Sequence, residues 1–150
     1  MPDCAREVMP TVLITGASRG LGLEFARQYA ELGWHVLSTC REPDRASALR
    51  ELAERHPSMC LHALDVTQDK SVRSLAEVLD GTTIDVLLNN AGIAGRIDRQ
   101  VLGALDYGVG HETMETNLFG PLRMAEAFLE HVAASAQRKI MTISSALGSI

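Results

Sequence analysis

The chain has 150 residues, of which 46% are hydrophobic and 22% are charged, and it carries a net charge of −5 with a pI near 5.5. This composition and length favour one folded domain over residues 1–150 and exclude a disordered chain. The acidic balance argues against a nucleic-acid partner, and no apolar run is typical of a membrane span or a secretory signal. We therefore expect a cytoplasmic protein. Its three cysteines are widely separated in sequence, so we expect neither a disulfide nor a metal site.

The first predicted elements surround a glycine-rich turn. Residues 1–10 form a polar lead-in, within which translation could start at Met1 or at Met9. Thr11–Thr15 is predicted to be a strand and Gly20–Leu32 a helix. The segment TGASRGLG (Thr15–Gly22) joins them and has the spacing TGxxxGxG. Glycines spaced in this way let the pyrophosphate of a dinucleotide approach the backbone at a helix N-terminus, so the turn predicts dinucleotide binding.

Strands and helices alternate along the rest of the chain. The further predicted strands are Trp34–Thr39, Met59–Leu64, Ile84–Asn89 and Lys139–Ser144. The further predicted helices are 44–56, a helix capped by Thr67 or Asp69, and a long helix over 112–134 with a kink at Pro121. We expect the long helix to bury Leu118, Leu122, Ala125 and Leu129. The glycine-rich stretch between Gly92 and Gly110 is long enough to be a functional loop.

This alternation predicts an α/β fold of the Rossmann type. A doubly wound parallel sheet in the strand order 3-2-1-4-5 would lie between two layers of helices, giving a three-layer α/β/α domain. The cofactor would then cross the carboxyl ends of the first and fourth strands, where the winding direction reverses. The residues from Asn89 to Gly92 arrive at that edge.

The tip of the second strand bears on the choice of dinucleotide. It ends in Thr39-Cys40-Arg41 and has no Asp or Glu that would bind a ribose 2′-hydroxyl. Arg41, helped by Arg19, could instead pair with a 2′-phosphate, which favours NADP(H) over NAD(H). The alternative is that Arg41 is an ordinary solvated charge, and Glu42 beside it weakens the argument.

Four motifs, TGASRGLG, ALDVT, DVLLNNAGI and ISSALGSI, follow one another along nearly the whole chain. In these the sequence resembles the classical short-chain dehydrogenases/reductases, and it is most similar to the carbonyl-reductase branch that includes sniffer-type and C-factor-like proteins. The resemblance implies contacts to the cofactor phosphates, adenine and ribose. The residues that carry it are Gly16, Ser18, Arg19, Gly20, Leu21, Gly22, Asp65, Val66, Asn90, Ala91 and Gly92.

The resemblance also implies an activity, hydride transfer between NADPH and a small ketone or aldehyde, with the alcohol as product. By it, Asn117 would hold a water of the proton relay, and Ser145 would bind the substrate carbonyl, with Ser144 as the alternative. The family also uses a tyrosine and a lysine four residues later, because nearby positive charge stabilises a phenolate. Tyr29 and Tyr107 are followed at that spacing by glycine and histidine, so this sequence contains no Tyr-x-x-x-Lys.

Two hypotheses follow from this resemblance. The first is that the chain is part of an NADP-dependent carbonyl reductase whose C-terminal strands lie outside these 150 residues. The second is that the chain is a catalytically inactive dinucleotide-binding or partner-binding module. In this 150-residue chain by itself, the fifth strand would have an unpaired apolar edge, so we expect a homo-oligomer.

Overall fold

The computed structural model describes residues 9–145, except for the side chain of residue 97, and its centre is a five-stranded parallel sheet. The strands are β1 (Thr11–Ile14), β2 (His35–Cys40), β3 (Met59–Ala63), β4 (Val86–Asn89) and β5 (Lys139–Thr142). They are ordered β3-β2-β1-β4-β5, and every neighbouring pair is parallel. The predicted Rossmann-type sheet is therefore confirmed, while the predicted lead-in before residue 9 and the end of ISSALGSI lie outside the described residues.

Helices connect successive strands. They are α1 (Gly20–Glu31), α2 (Ser47–Arg55), α3 (Asp69–Val78), α4 (Tyr107–Met114), α5 (Gly120–Ala127) and α6 (Leu129–Ala133). Short 3-10 turns occur at Pro43–Arg45 and Ile97–Arg99, and a π-helical turn, Glu115–Phe119, joins α4 to α5. Within residues 9–145, no helix combines the length and apolar character needed to cross a membrane.

The sheet separates two hydrophobic cores, because alternate residues of a strand point to opposite faces. On one face, Val12 and Ile14 pack with residues of α1 and α2, including Ala26 and Leu49. The other core surrounds Leu13 and contains the following buried residues of β4, α3, α5 and the segment after it: Leu87, Val72, Leu75, Met124, Phe128 and Val132. Both faces of β1 are fully buried, so this strand and the turn after it have a rigid support.

The long helix predicted over 112–134 differs from the structure. The helical region begins at Tyr107 and is interrupted by the π-helical turn, which ends just before α5. Pro121 lies in the first turn of α5, where its missing N–H costs little. The helix is irregular not at Pro121, where the kink was predicted, but just upstream of it, in the π-helical turn.

The buried face predicted for this helix is wrong. Leu118, Leu122 and Leu129 are 42%, 56% and 53% exposed, and Ala125 is only partly buried. The residues that the helix buries instead are Gly120, Met124, Phe128 and Val132, spaced four apart. The segment carries two apolar stripes, one through Leu118, Leu122 and Leu129 and the other through Met124, Phe128 and Val132. The second stripe packs in the same core as Leu87 of β4. The sequence pattern alone does not distinguish the two stripes.

The helix after β3 starts at one of the two predicted positions but is not capped as expected. Asp69 is the first residue of α3, and the residue before it, Gln68, makes no side-chain capping hydrogen bond. The Thr67 hydroxyl instead donates to Asp65 Oδ1 at 2.7 Å, and the Thr67 N–H donates to the same oxygen at 3.0 Å. Thr67 therefore folds the loop after β3 rather than capping the helix.

Candidate cofactor site

The turn between β1 and α1 requires glycine for two different reasons. Gly16 and Gly20 have φ of +68° and +55°, in the left-handed region that glycine adopts without penalty. Gly22 has ordinary helical geometry, but a Cβ there would lie 2.2 Å from the Gly16 carbonyl oxygen and 2.5 Å from Asn90 Nδ2. At Gly16 a Cβ would also lie 2.8 Å from Ala91 Cα. The glycines therefore let the turn, the helix and the segment after β4 approach one another.

Thr15 and Asn90 hold that approach together. The Thr15 hydroxyl oxygen accepts the backbone N–H of Asn90 and of Ala91, each at 3.0 Å. The Asn90 amide nitrogen donates to the carbonyl oxygens of Thr15 and Gly16 at 3.0 and 3.1 Å. The residues after β1 and after β4 are therefore fixed to each other where the winding direction reverses. Sequence reasoning placed Asn90 here but missed the part that Thr15 plays.

The N-terminus of α1 is suited to an anion. Arg19, the residue before the helix, makes no side-chain capping hydrogen bond, and the first turn contains no acidic residue. The N–H groups of a helix's first turn have no intrahelical acceptor, and the helix dipole adds positive potential there. A phosphate group of a dinucleotide fits this chemistry.

A cavity of about 550 Å³ opens beside this helix terminus. All twelve residues that the sequence predicts to bind cofactor line it: Gly16, Ser18, Arg19, Gly20, Leu21, Gly22, Arg41, Asp65, Val66, Asn90, Ala91 and Gly92. The wall also contains seven residues that sequence reasoning did not select: Cys40, Leu64, Thr67, Ile93, Glu112, Glu115 and Thr116. Leu64 and Thr67 belong to the motif ALDVT, Ile93 ends DVLLNNAGI, and Cys40 precedes Arg41. The three helical residues belong to no predicted motif, so motif spacing alone gives no signal for them.

The positive side of the cavity is formed by two exposed arginines. Arg19 and Arg41 both line the cavity, and within the described part of the chain neither makes an ion pair. Glu42, which could have neutralised Arg41, instead pairs with Arg45 at 2.8 Å. The guanidinium groups of Arg19 and Arg41 are therefore available to an anionic ligand.

Cys40, beside Arg41, also lines the cavity, and burial raises the pKa of its thiol above its ordinary value.

Asn117 lies in the π-helical turn and binds the loop after β4. Its amide oxygen accepts the Ile93 N–H at 2.9 Å, and its amide nitrogen donates to the Ile93 carbonyl oxygen at 2.8 Å. Because both polar groups of the amide are used in this way, the side chain fixes Ile93, which lines the cavity. Asn117 itself does not line the cavity.

Ser145 lies beyond the end of β5. Directly after this strand, the Ile143 N–H donates to the carbonyl oxygen of Asn89, the last residue of β4, at 2.9 Å. Ser144 and Ser145 are exposed, and neither is among the residues that line the cavity. The sheet thus brings both serines to its carboxyl edge, the same edge as the glycine-rich turn, without distinguishing between them.

Arg123, which sequence reasoning missed, connects three segments behind the cavity wall. Its guanidinium donates to Asp69 Oδ1 at 2.5 Å, to the Val66 carbonyl oxygen at 3.3 Å, and to the Glu115 carboxylate. Burial acts to lower the pKa of Arg123, but the hydrogen bonds to Glu115 and Asp69 raise it, so the side chain stays charged. The partners lie up to 57 residues away in sequence, so no local pattern predicts the network.

Comparison with known proteins agrees with this geometry. Residues 10–150 match the family model for short chain dehydrogenases. The chain is 33% identical to a (+)-neomenthol dehydrogenase of Arabidopsis thaliana, over 97% of this chain and 57% of that protein. It is 35% identical to an oxidoreductase of Bacillus subtilis, over 91% of this chain and 49% of that protein. The chain therefore spans about half the length of the curated relatives that it matches.

Two solved structures show the same fold with a cofactor. An NADPH-bound carbonyl reductase from chicken fatty liver is 34% identical with a TM-score of 0.85, covering 95% of this chain and 59% of that one. A carbonyl reductase from Pseudomonas aeruginosa in complex with NADP is 31% identical with a TM-score of 0.84, covering 95% and 61%. With the family model, the sheet order and the glycine-rich turn in agreement, the chain belongs to the short-chain dehydrogenase family, whose members are oxidoreductases.

Proposed function

We propose that this chain is the cofactor-binding part of an NADP(H)-dependent carbonyl reductase that acts on a small ketone or aldehyde, or on the matching alcohol. The observation that carries the proposal is the cavity beside α1, where a glycine-rich turn meets two arginines that form no ion pair with any residue from 9 to 145. The similar structures that hold NADP or NADPH include carbonyl reductases, which supports this choice within the family.

Different residues of the cavity would bind different parts of the cofactor. The turn from Gly16 to Gly22 and the N-terminus of α1 would hold the pyrophosphate, because backbone N–H groups and the helix dipole favour an anion. Arg19 and Arg41 would pair with the 2′-phosphate, and Asp65 with Val66 would contact the adenine. Asn90, Ala91 and Gly92 would lie along the ribose. When bound, NADPH supplies a hydride to the carbonyl carbon of the substrate.

The two residues implied by resemblance to act in catalysis would have different roles. Asn117 would position the loop at Ile93, since its amide makes both of its contacts there. Ser145 would donate a hydrogen bond to the substrate carbonyl oxygen, with Ser144 as the alternative donor.

The 2′-phosphate assignment can be tested by titrating NADPH and NADH into the chain and the Arg41→Ala variant. A charge-assisted hydrogen bond contributes about 1.5–3 kcal/mol, so we expect about a ten- to hundredfold loss of NADPH affinity. NADH affinity should stay unchanged. Arg55→Ala is the matched control, because Arg55 is exposed on α2 and does not line the cavity. Equal affinity for the two dinucleotides in the unmodified chain would refute the assignment.

A second candidate is a dinucleotide-binding or partner-binding module without catalysis, and one observation favours it for the isolated polypeptide. The sequence contains no Tyr-x-x-x-Lys, and removing a general acid typically costs about 10²–10⁴-fold in rate. We therefore expect NADPH binding, with reduction of a reactive diketone about 10²–10⁴-fold slower than by an intact homologue. Turnover that survives Ser145→Ala would show that the catalytic assignment is wrong.

We also propose that the chain is cytoplasmic and self-associates. Within residues 9–145, β5 pairs with β4 on one side and has no strand on the other. Ile140 and Met141 of this strand are 40% and 46% exposed. The helical region that precedes β5 adds three exposed apolar side chains, Leu118, Leu122 and Leu129. Unpaired strand edges and apolar surface both favour association.

A further inference from the structure

The loop between β3 and α3 forms one wall of the cavity, and its internal hydrogen bonds do not attach it to the long helical region. Residues 64–67 all line the cavity. Within the loop, Thr67 donates twice to Asp65 Oδ1, and the Asp65 N–H connects the loop to α3 by donating to Ser71 Oγ at 3.0 Å. On its β2 side, the Leu64 N–H donates to the Cys40 carbonyl oxygen at 2.8 Å. The opposite side of the loop faces α5.

From α5, two residues contact Val66 directly. A Cβ at Gly120 would lie 2.9 Å from Val66 Cγ2, so the absence of a side chain lets the valine pack against the helix. Less than one turn later, the Arg123 guanidinium donates to the Val66 carbonyl oxygen at 3.3 Å. The backbone and the side chain of Val66 are therefore both held by the same helix.

Arg123 also connects this loop to the elements on either side of it. It pairs with Asp69 in the first turn of α3 and with Glu115 in the π-helical turn, and Glu115 lines the cavity. A planar guanidinium has five N–H donors in a fixed arrangement, which allows one side chain to bond three acceptors in different directions. A lysine ammonium at the end of a flexible chain does not reproduce that arrangement.

These contacts matter more for position than for stability. The side chains of Asp69 and Glu115 are 64% and 39% exposed, and exposed ion pairs contribute little to stability. The bond to the Val66 carbonyl is different, because it acts on a backbone group of the cavity wall. Losing it would free that wall without unfolding the sheet.

We propose that Arg123 is a positioning residue for the adenine half of the cofactor, holding the Asp65–Val66 wall at the place where the adenine packs. This rests on the proposed function, since it assumes that the cavity binds NADP(H). Arg123 does not line the cavity, so it acts through Val66 and Glu115 rather than by touching the ligand.

The test uses the full 150-residue chain and two probes, NADPH and 2′,5′-ADP, which contains only the adenine half of the cofactor. In Arg123→Gln we expect both affinities to fall by the same factor, about two- to tenfold, as expected for one hydrogen bond. Arg123→Lys should not restore them. The matched control is Arg73→Ala, because Arg73 lines the same groove between α3 and α5 but is not bonded to Val66.

Hydrogen exchange supplies a second readout that needs no ligand. The amides of residues 65–67 should exchange faster in Arg123→Gln and in Arg123→Lys, while those of β1 stay unchanged. Unchanged 2′,5′-ADP affinity in Arg123→Gln, full rescue by lysine, or unchanged exchange at residues 65–67 would each overturn the inference. If the unmodified chain binds neither probe, the proposed function fails, and the exchange measurement still decides whether Arg123 holds the wall.

Discussion

Replacing Gly22 by alanine sets two physical effects against each other. Gly22 lies in the first turn of α1, and in a helix alanine is more favourable than glycine by about 1 kcal/mol. Helix propensity alone therefore predicts a more stable protein. In the structure, however, the new Cβ would lie 2.2 Å from the Gly16 carbonyl oxygen and 2.5 Å from Asn90 Nδ2.

Steric crowding should outweigh helix propensity at this position. Forcing an extra carbon into a packed site costs about 1–3 kcal/mol. Relief requires moving Asn90, which donates to the carbonyl oxygens of Thr15 and Gly16 and contributes about 0.5–1.5 kcal/mol for each bond. We expect Gly22→Ala to lower the free energy of unfolding by about 1–5 kcal/mol after the propensity gain is counted. NADPH affinity should fall as well, because the turn itself is displaced.

Denaturant unfolding and NADPH titration would measure both effects. Gly81→Ala is the control, since Gly81 has a φ of +75° and no neighbouring atom lies within 4 Å of the place that a Cβ would occupy. This control should cost about 1–2 kcal/mol through its left-handed backbone, without changing NADPH affinity. If Gly22→Ala were as stable as the unmodified chain and bound NADPH equally well, the crowding argument would be refuted.

Three further predictions concern other parts of the chain. Thr15→Val keeps the shape of the side chain but leaves the backbone N–H groups of Asn90 and Ala91 without their acceptor. It should lower the free energy of unfolding by about 1–3 kcal/mol for each group. An unchanged denaturation midpoint would contradict this. Cys40 should be alkylated more slowly than Cys60, because burial raises the pKa of the Cys40 thiol whereas Cys60 is exposed. Of these two residues, NADP⁺ should protect Cys40 from alkylation, as measured by peptide mapping, because Cys40 lines the cavity. Met141→Lys should reduce self-association measured by light scattering, because it places a charge at the exposed edge strand β5, and a monodisperse unmodified monomer would show that the edge does not pair.

The sequence by itself determines the sheet and the cofactor turn. Alternating apolar segments and right-handed crossovers predict the parallel sheet, and the glycine-rich turn after β1 predicts that the winding direction reverses between β1 and β4. The twelve predicted cofactor residues converge on one cavity because they belong to the ends of parallel strands, and those ends meet at one edge of the sheet. Gly16 and Gly20 could likewise be read from spacing, since their role is set by local backbone conformation.

Only the tertiary structure decides contacts between segments that are distant in sequence. The competing apolar stripes of the long helical region are equally periodic, and the choice of Met124 and Phe128 over Leu122 and Leu129 depends on the space above β4. The bonds from Arg123 to Val66 and Asp69 likewise depend on how α5 lies against α3, which local propensity does not encode. The sequence therefore determines the residues that the strand ends and the glycine-rich turn bring to the cavity. Packing between distant helices decides which helical residues complete the cavity wall and which residues hold that wall in place.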